Sequence, residues 1–279
     1  MKGLSAGSAL LIASLGSIVL AACGETASSP ATAAGEQPQV SRAGGRIRGT
    51  VRLQGTPPAA AFQPVTQDNE VCGREVAVTR LSVGPQGGVR RAFVYLENAP
   101  ATEPLQARAS VPIEQSRCEY APHAVQIPVG TKLEIVNGDP ILHNVHARQL
   151  TANGLQTIFN IAQPVKDQRT LVDLPLTRPG IIALSCEAGH PWMTAYILVA
   201  DHPFAAVTGD DGSFVIDGVP PGSYRIRMWH EGVRLTNVFP SLQRYEYEPP
   251  YEIAQEVIVP EEGDAEVNFD LELRGAPAS

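Results

Sequence analysis

From residue 46 onward, apolar and polar side chains alternate in short runs. The stretch 46–53 reads Arg-Ile-Arg-Gly-Thr-Val-Arg-Leu and places Ile47, Val51 and Leu53 on one side of a period-2 pattern. Further runs of this kind fall at 91–96, 124–127, 132–136, 141–147, 170–174, 180–185 and 194–199. Pro128-Val129-Gly130 separates two of them as a turn. Later runs lie at 214–216, 224–229 and 267–273. No stretch carries the 3.6-residue apolar period of an amphipathic helix. The pattern predicts an all-β chain, and the number of strands suggests two β-sandwiches.

Composition agrees with many short strands. The 279 residues include 25 Gly and 24 Pro, and 43% are hydrophobic against 18% charged, so a packed core is available. A net charge of -8 argues against nucleic acid as a partner, because phosphate binding needs a basic surface.

The first residues carry a separate signal. Lys2 precedes an apolar run that ends Leu20-Ala21-Ala22-Cys23-Gly24. The run is short for a membrane span and closes on small residues, as a leader does. The ending resembles a bacterial lipobox. That resemblance implies removal of 1–22 as a lipoprotein signal peptide, lipid on Cys23, and attachment to a membrane of the cell envelope, facing the periplasm or exterior. The alternative is an ordinary secreted protein. Residues 23–44 are mostly small and polar and predict a flexible tether.

Candidate chemistry concentrates in Cys186-Glu187-Ala188-Gly189-His190-Pro191-Trp192-Met193. A thiol, an imidazole and a thioether follow one strand, and a single loop could aim all three at a common point. A second imidazole must come from elsewhere, and His143 in Asp139-Pro140-Ile141-Leu142-His143-Asn144 is well placed. Two His, one Cys and a weak Met ligand form the blue-copper set. Soft sulfur favours Cu(I), while imidazole serves both oxidation states. No position is left for substrate, so the expected role is electron transfer rather than catalysis.

The stretch from about 120 to 200 resembles the cupredoxin family, plastocyanin and amicyanin in particular. Tyr120-Ala121-Pro122, then Ile127-Pro128-Val129-Gly130-Thr131-Lys132-Leu133-Glu134-Ile135-Val136-Asn137, Leu142-His143-Asn144-Val145 and His190-Pro191-Trp192-Met193 carry the likeness. It implies a Greek-key sandwich binding one mononuclear type 1 copper through His143, Cys186, His190 and Met193, with Asn144 stiffening the site. It further implies that His190 is the electron port, with Pro191 and Trp192 as an apolar docking patch beside it; the alternative for Trp192 is packing between the two sandwiches. Three residues lie between Cys186 and His190, where plastocyanin and amicyanin have two.

Other residues have plainer readings. His146 stands three positions beyond His143 and should face away on an extended strand. His123 is read as a turn residue, and Glu187 as an alternative hard ligand only if Met193 is not used. Cys72 and Cys118, not needed for metal, are expected to form a disulfide in an oxidising compartment, with two buried free thiols as the alternative.

Beyond 200, Gly209-Asp210-Asp211-Gly212 and Pro220-Pro221-Gly222 punctuate short strands. This part resembles a carboxypeptidase regulatory-like, transthyretin-like sandwich, which implies an accessory module, and Gly49-Thr50-Val51 carries a similar opening, so that the first strand belongs with either sandwich on this reading. Trp229-His230-Glu231 is read as a strand end with solvated neighbours.

The expected organisation is a leader at 1–22, a tether at 23–44, a cupredoxin-like domain at 45–200 and the smaller sandwich at 201–274. The expected function is a lipid-anchored, non-enzymatic carrier of single electrons between periplasmic redox proteins such as cytochromes or dehydrogenases. A metal-free scaffold lipoprotein and a copper-delivery protein are the rivals. A hydrolase is disfavoured, since His-Glu-x-x-His does not occur and the Gly-x-Ser-x-Gly match, Gly3-Leu4-Ser5-Ala6-Gly7, falls in the expected leader.

Overall fold

The computed structural model describes residues 44–275, apart from 60, 79, 102–104 and 240–243. The leader, Cys23 and all but the last residue of the tether lie outside the described residues. Strands dominate, joined by one helical turn at Asn69–Cys72 and a 3-10 turn at Pro85–Gly87.

One sandwich pairs a five-stranded and a four-stranded sheet. The five strands run in the spatial order Gly154–Gln163, His143–Thr151, Gly180–Ser185, Thr194–Ala200, Ala124–Pro128. The four run Arg169–Leu171, Lys132–Asn137, Ser110–Ser116, Glu119–Ala121. Alternation explains the layering. In Ser110–Ser116, Val111, Ile113 and Gln115 turn inward while Pro112, Glu114 and Ser116 face solvent. Ile113, Leu133 and Ile135 of one sheet share a core with Val145, Leu184 and Ile197 of the other. Cys186 and Met193 belong to that same core.

The second sandwich is built around Gly45–Gln54. Ser213–Val219 runs antiparallel to it, and Asp264–Glu266 and Phe269–Glu272 run parallel to it. The facing sheet has the order Ala205–Val207, Phe93–Leu96, Gly222–His230, Tyr251–Val259. Ile47, Val51, Val94, Phe214, Ile226 and Phe269 fill the space between. Gly49 is required here, since a Cβ would stand 1.6 Å from the Val267 carbonyl oxygen.

This topology corrects the division expected at residue 200. Strands Gly45–Gln54 and Phe93–Leu96 fall before that position yet pair with C-terminal strands. Strand Gly45–Gln54 leads into an excursion that ends near Val89, where the Val89 N–H donates to the Val51 carbonyl at 2.8 Å. Strand Phe93–Leu96 leads into a larger excursion that contains the first sandwich. That excursion returns at Phe204, whose carbonyl accepts from the Leu96 N–H at 3.1 Å. The first sandwich is therefore an insertion within the second.

The two sandwiches pack through Ile181 and Leu198 on one side and Phe93 and Trp229 on the other. Beside this apolar contact lies a buried polar seam. Arg80 Nε donates to the Gly232 carbonyl at 2.6 Å, Nη1 to the Thr194 hydroxyl at 3.0 Å and Nη2 to the Tyr196 hydroxyl at 2.6 Å. Its guanidinium also pairs with Glu231, and both side chains are about 5% exposed or less. His123 contacts the same carboxylate. His230 and Glu231 are thus buried, not solvated as the sequence suggested. Glu231 is consumed by ion pairing across the seam.

Candidate metal centre

The centre sits where several strands of the five-stranded sheet end together. Gly180–Ser185 delivers Cys186 at its end, and Thr194–Ala200 receives the chain again, with Ser185 opposite Thr194. The intervening loop closes on itself. The Cys186 N–H donates to the Met193 carbonyl at 3.2 Å, and the Met193 N–H donates to the His190 carbonyl at 3.0 Å. The neighbouring strand His143–Thr151 opposes Ser185 with His146, so His143 falls at the same end.

The three expected donors His143, Cys186 and His190 converge. His143 Nδ1 and His190 Nδ1 are 3.2 Å apart, and Cys186 Sγ lies 4.0 Å from the first and 3.7 Å from the second. Metal–nitrogen bonds of about 2.0 Å and metal–sulfur bonds of about 2.3 Å put neighbouring donor atoms roughly 3.3–3.9 Å apart. The donor spacing fits a single ion. Both imidazoles are fully buried, and Cys186 and Met193 are 1% exposed. Cys186 is the free cysteine among the described residues.

Electrostatics in the metal-free protein follow from this burial. Desolvation pushes the Cys186 thiol up, offset in part by backbone N–H groups of Asn144, Ala188 and His190. A coordinated thiol would be deprotonated outright. Burial lowers the His143 pKa against the pull of Asp139. Burial, then the neighbouring His143, lowers that of His190. Both rings are therefore biased toward the neutral form that binds metal.

Each imidazole has a carboxylate on its outer nitrogen. His143 Nε2 lies 2.9 Å from Asp139 Oδ2, and His190 Nε2 lies 3.1 Å from Asp68 Oδ2. Burial alone would raise the Asp139 pKa, but the N–H groups of Cys118 and Arg117 and the His143 ring hold it below its ordinary value. Sequence reasoning missed both carboxylates. The available signals were the position of Asp139 in the quoted histidine segment and that of Asp68 just before Cys72.

Asn144 ties the first histidine to the loop. Its Oδ1 accepts from the Glu187 N–H at 2.6 Å, and its Nδ2 donates to Asn160 at 2.7 Å. The buried Tyr120 hydroxyl donates to the Asn144 carbonyl. His146 points away from the cluster, to Glu187 at 2.8 Å and Thr157 at 2.8 Å. The Glu187 carboxylate is thereby engaged outside the cluster. His123 lies in the bend between Glu119–Ala121 and Ala124–Pro128, as the sequence suggested, and its ring also contacts Glu231 in the seam.

Cys72 and Cys118 are joined in a disulfide that closes a sequence separation of 46 residues. The exposed face expected at His190, Pro191 and Trp192 is altered by the segment this bond anchors. His190 is closed off by Asp68. Trp192 is 8% exposed, packs edge-on against His190 and donates from its indole to the Cys118 carbonyl at 3.0 Å. Of the expected patch, Pro191 keeps partial exposure, and the neighbouring Leu142 is 46% exposed.

No protein-family model and no curated protein matches this chain. Solved structures similar to parts of it include a purple cupredoxin from Nitrosopumilus maritimus, 23% identical over 33% of this chain and 100% of that one, with a TM-score of 0.28. Amicyanin from Paracoccus versutus is 21% identical over 38% of this chain and 97% of that one, with a TM-score of 0.28. A copper-containing nitrite reductase from Thermus scotoductus is 23% identical over 38% of this chain and 24% of that one, with a TM-score of 0.27.

Proposed function

We propose that this protein is a type 1 copper carrier of single electrons. The observation that carries the reading is the convergence of two imidazole Nδ1 atoms and one thiol sulfur within 4.0 Å of one another in the core of a sandwich, with Met193 closing the same loop. The donor types fit copper in both oxidation states, because soft sulfur suits Cu(I) and imidazole suits either. Bound there, copper would take up and release one electron at a time. The protein's part is to hold the donors still. Strand pairing fixes His143, the closed loop fixes Cys186, His190 and Met193, and Asn144 links the two. Fixed donors mean little rearrangement on electron transfer, and burial keeps bulk water and other ligands away.

Location and partners extend the proposal. The lipobox-like end at Cys23 supports a membrane-anchored protein of the cell envelope, and periplasmic cytochromes or dehydrogenases are the proposed partners. The second sandwich, into which the copper sandwich is inserted, is proposed as an accessory module of the carboxypeptidase regulatory-like type.

Titration of the metal-free protein with Cu(II) tests the function. One equivalent should bind and give an intense thiolate-to-copper absorption band, which Cys186→Ser should lose. A wild-type protein that stays colourless and binds no copper overturns the proposal.

A further inference from the structure

The two carboxylates that face the imidazoles come from different parts of the chain, and one covalent bond joins their supports. Asp139 follows strand Lys132–Asn137. Its carboxylate accepts from the Arg117 N–H at 2.8 Å and the Cys118 N–H at 2.9 Å. Arg117 and Cys118 both have positive φ, 54° and 58°, in the tight turn between Ser110–Ser116 and Glu119–Ala121. Turns of that shape ordinarily use Asn-Gly, so this one is held by outside contacts. Asp139 and the disulfide supply them.

Asp68 belongs to the other excursion and precedes the helical turn Asn69–Cys72. Its own backbone is left-handed, with φ 56° and ψ 31°. Beside it, Gln67 Nε2 donates to the Ala188 carbonyl in the metal loop at 2.7 Å. The approach is close enough that a Cβ on Gly189 would stand 1.6 Å from Gln67 Nε2. Both sulfurs of the Cys72–Cys118 bridge lie within 4.8 Å of a His190 ring nitrogen. The bridge is thus packed against the imidazole it helps to enclose.

A carboxylate only accepts, so it selects the tautomer with hydrogen on Nε2. That leaves the Nδ1 lone pair free on each ring, and both Nδ1 atoms face Cys186 Sγ. We infer that Asp68 and Asp139 are a matched pair of positioning residues, which fix the tautomer of His190 and His143 and make both rings stronger donors to the metal, and that the Cys72–Cys118 disulfide holds Asp68 in this role. The inference deepens the copper reading and rests on it for its effect on the metal.

Strengthening a neutral donor with anionic charge favours the more positive oxidation state. Asp68→Asn keeps size and an acceptor oxygen while removing the charge. It should raise the reduction potential of the copper protein and weaken Cu(II) binding on the order of 10–100-fold. Asp68→Ala should do both and also speed loss of copper to a chelator. The Cys72→Ser/Cys118→Ser double variant should shift the potential in the same direction as Asp68→Asn. Should that variant not fold, the Asp68 pair decides alone. The metal-free full chain supplies an independent reading. Nitrogen-15 NMR of the imidazoles should show hydrogen on Nε2 of both His143 and His190, and Asp68→Ala should release His190 to a tautomer mixture. If Asp68→Asn leaves potential and affinity at wild-type values, or if wild-type His190 carries its hydrogen on Nδ1, the inference is overturned. A chain that binds no copper yet keeps the Nε2–H tautomers would instead overturn the copper reading and leave the positioning intact.

Discussion

The Trp192 indole and the Cys118 carbonyl meet at 3.0 Å, which joins the metal loop to the disulfide turn by a buried hydrogen bond. Trp192 is thereby a packed strut and not part of an exposed docking surface, the two readings the sequence left open. Trp192→Phe would keep an aromatic ring against His190 but leave the Cys118 carbonyl without its donor. Such a loss costs about 1–3 kcal/mol. Chemical denaturation of the metal-free protein should show that drop, with copper still bound and coloured in the variant. An unchanged denaturation midpoint would remove the strut.

Met193→Leu separates the thioether from its volume. Met193 is 1% exposed in the core, and volume-conserving swaps of this type cost less than about 1.5 kcal/mol. The variant should fold and keep the intense band, since Cys186 remains. Its reduction potential should change, because on the copper proposal the thioether would be a weak ligand that tunes that value. Equal potentials in the two proteins would show that Met193 is core filler.

Arg80 joins the two sandwiches by side-chain bonds to Thr194, Tyr196 and Glu231 and to the Gly232 carbonyl. Arg80→Met would leave Glu231 buried with His123 as its remaining neighbour. Removing one member of a buried pair costs about 3–5 kcal/mol. Adding Glu231→Leu should restore much of that loss. A double variant as unstable as Arg80→Met alone would place the damage elsewhere.

The same seam gives the protein an acid limb. Burial alone would raise the Glu231 pKa, but Arg80 and then His123 lower it from 4.5 to about 2. A folded-state pKa below the unfolded one means the unfolded chain binds the proton first. Stability from this group is present above pH 4.5 and is lost as pH falls toward about 2. Stability measured across this window should fall more steeply in the wild type than in Glu231→Gln. Parallel curves would assign the acid limb to other carboxylates.

The candidate ligands were legible because their chemistry is local. Cys186, His190 and Met193 share one loop, and His143 lies in a segment with its own pattern. Strands such as His143–Thr151 and Gly180–Ser185 followed from alternation. The hairpin of Ser110–Ser116 and Glu119–Ala121 escaped because Arg117-Cys118 carries no turn signature; its shape depends on Asp139, some twenty residues later. Gly154–Gln163 escaped because it is largely exposed and lacks a buried face to reveal it. Asp68 was illegible for a stronger reason. It reaches His190 across 122 positions, and only the bridge at Cys72 hints that its segment comes near. The expected boundary at 200 failed because strand order in a sheet is not chain order.

The insertion has a consequence for anyone who would cut the inserted sandwich free. A fragment spanning its strands, 110–200, would contain His143, Cys186, His190 and Met193 yet lack Asp68 and Cys72. Cys118 would then be an unpaired thiol beside Asp139 and His143, with which it forms a second cluster spaced for a metal. Excision would thus offer an incoming ion two competing thiols where the described residues of the whole chain offer one, and mixed loading would be the signature of the missing arm.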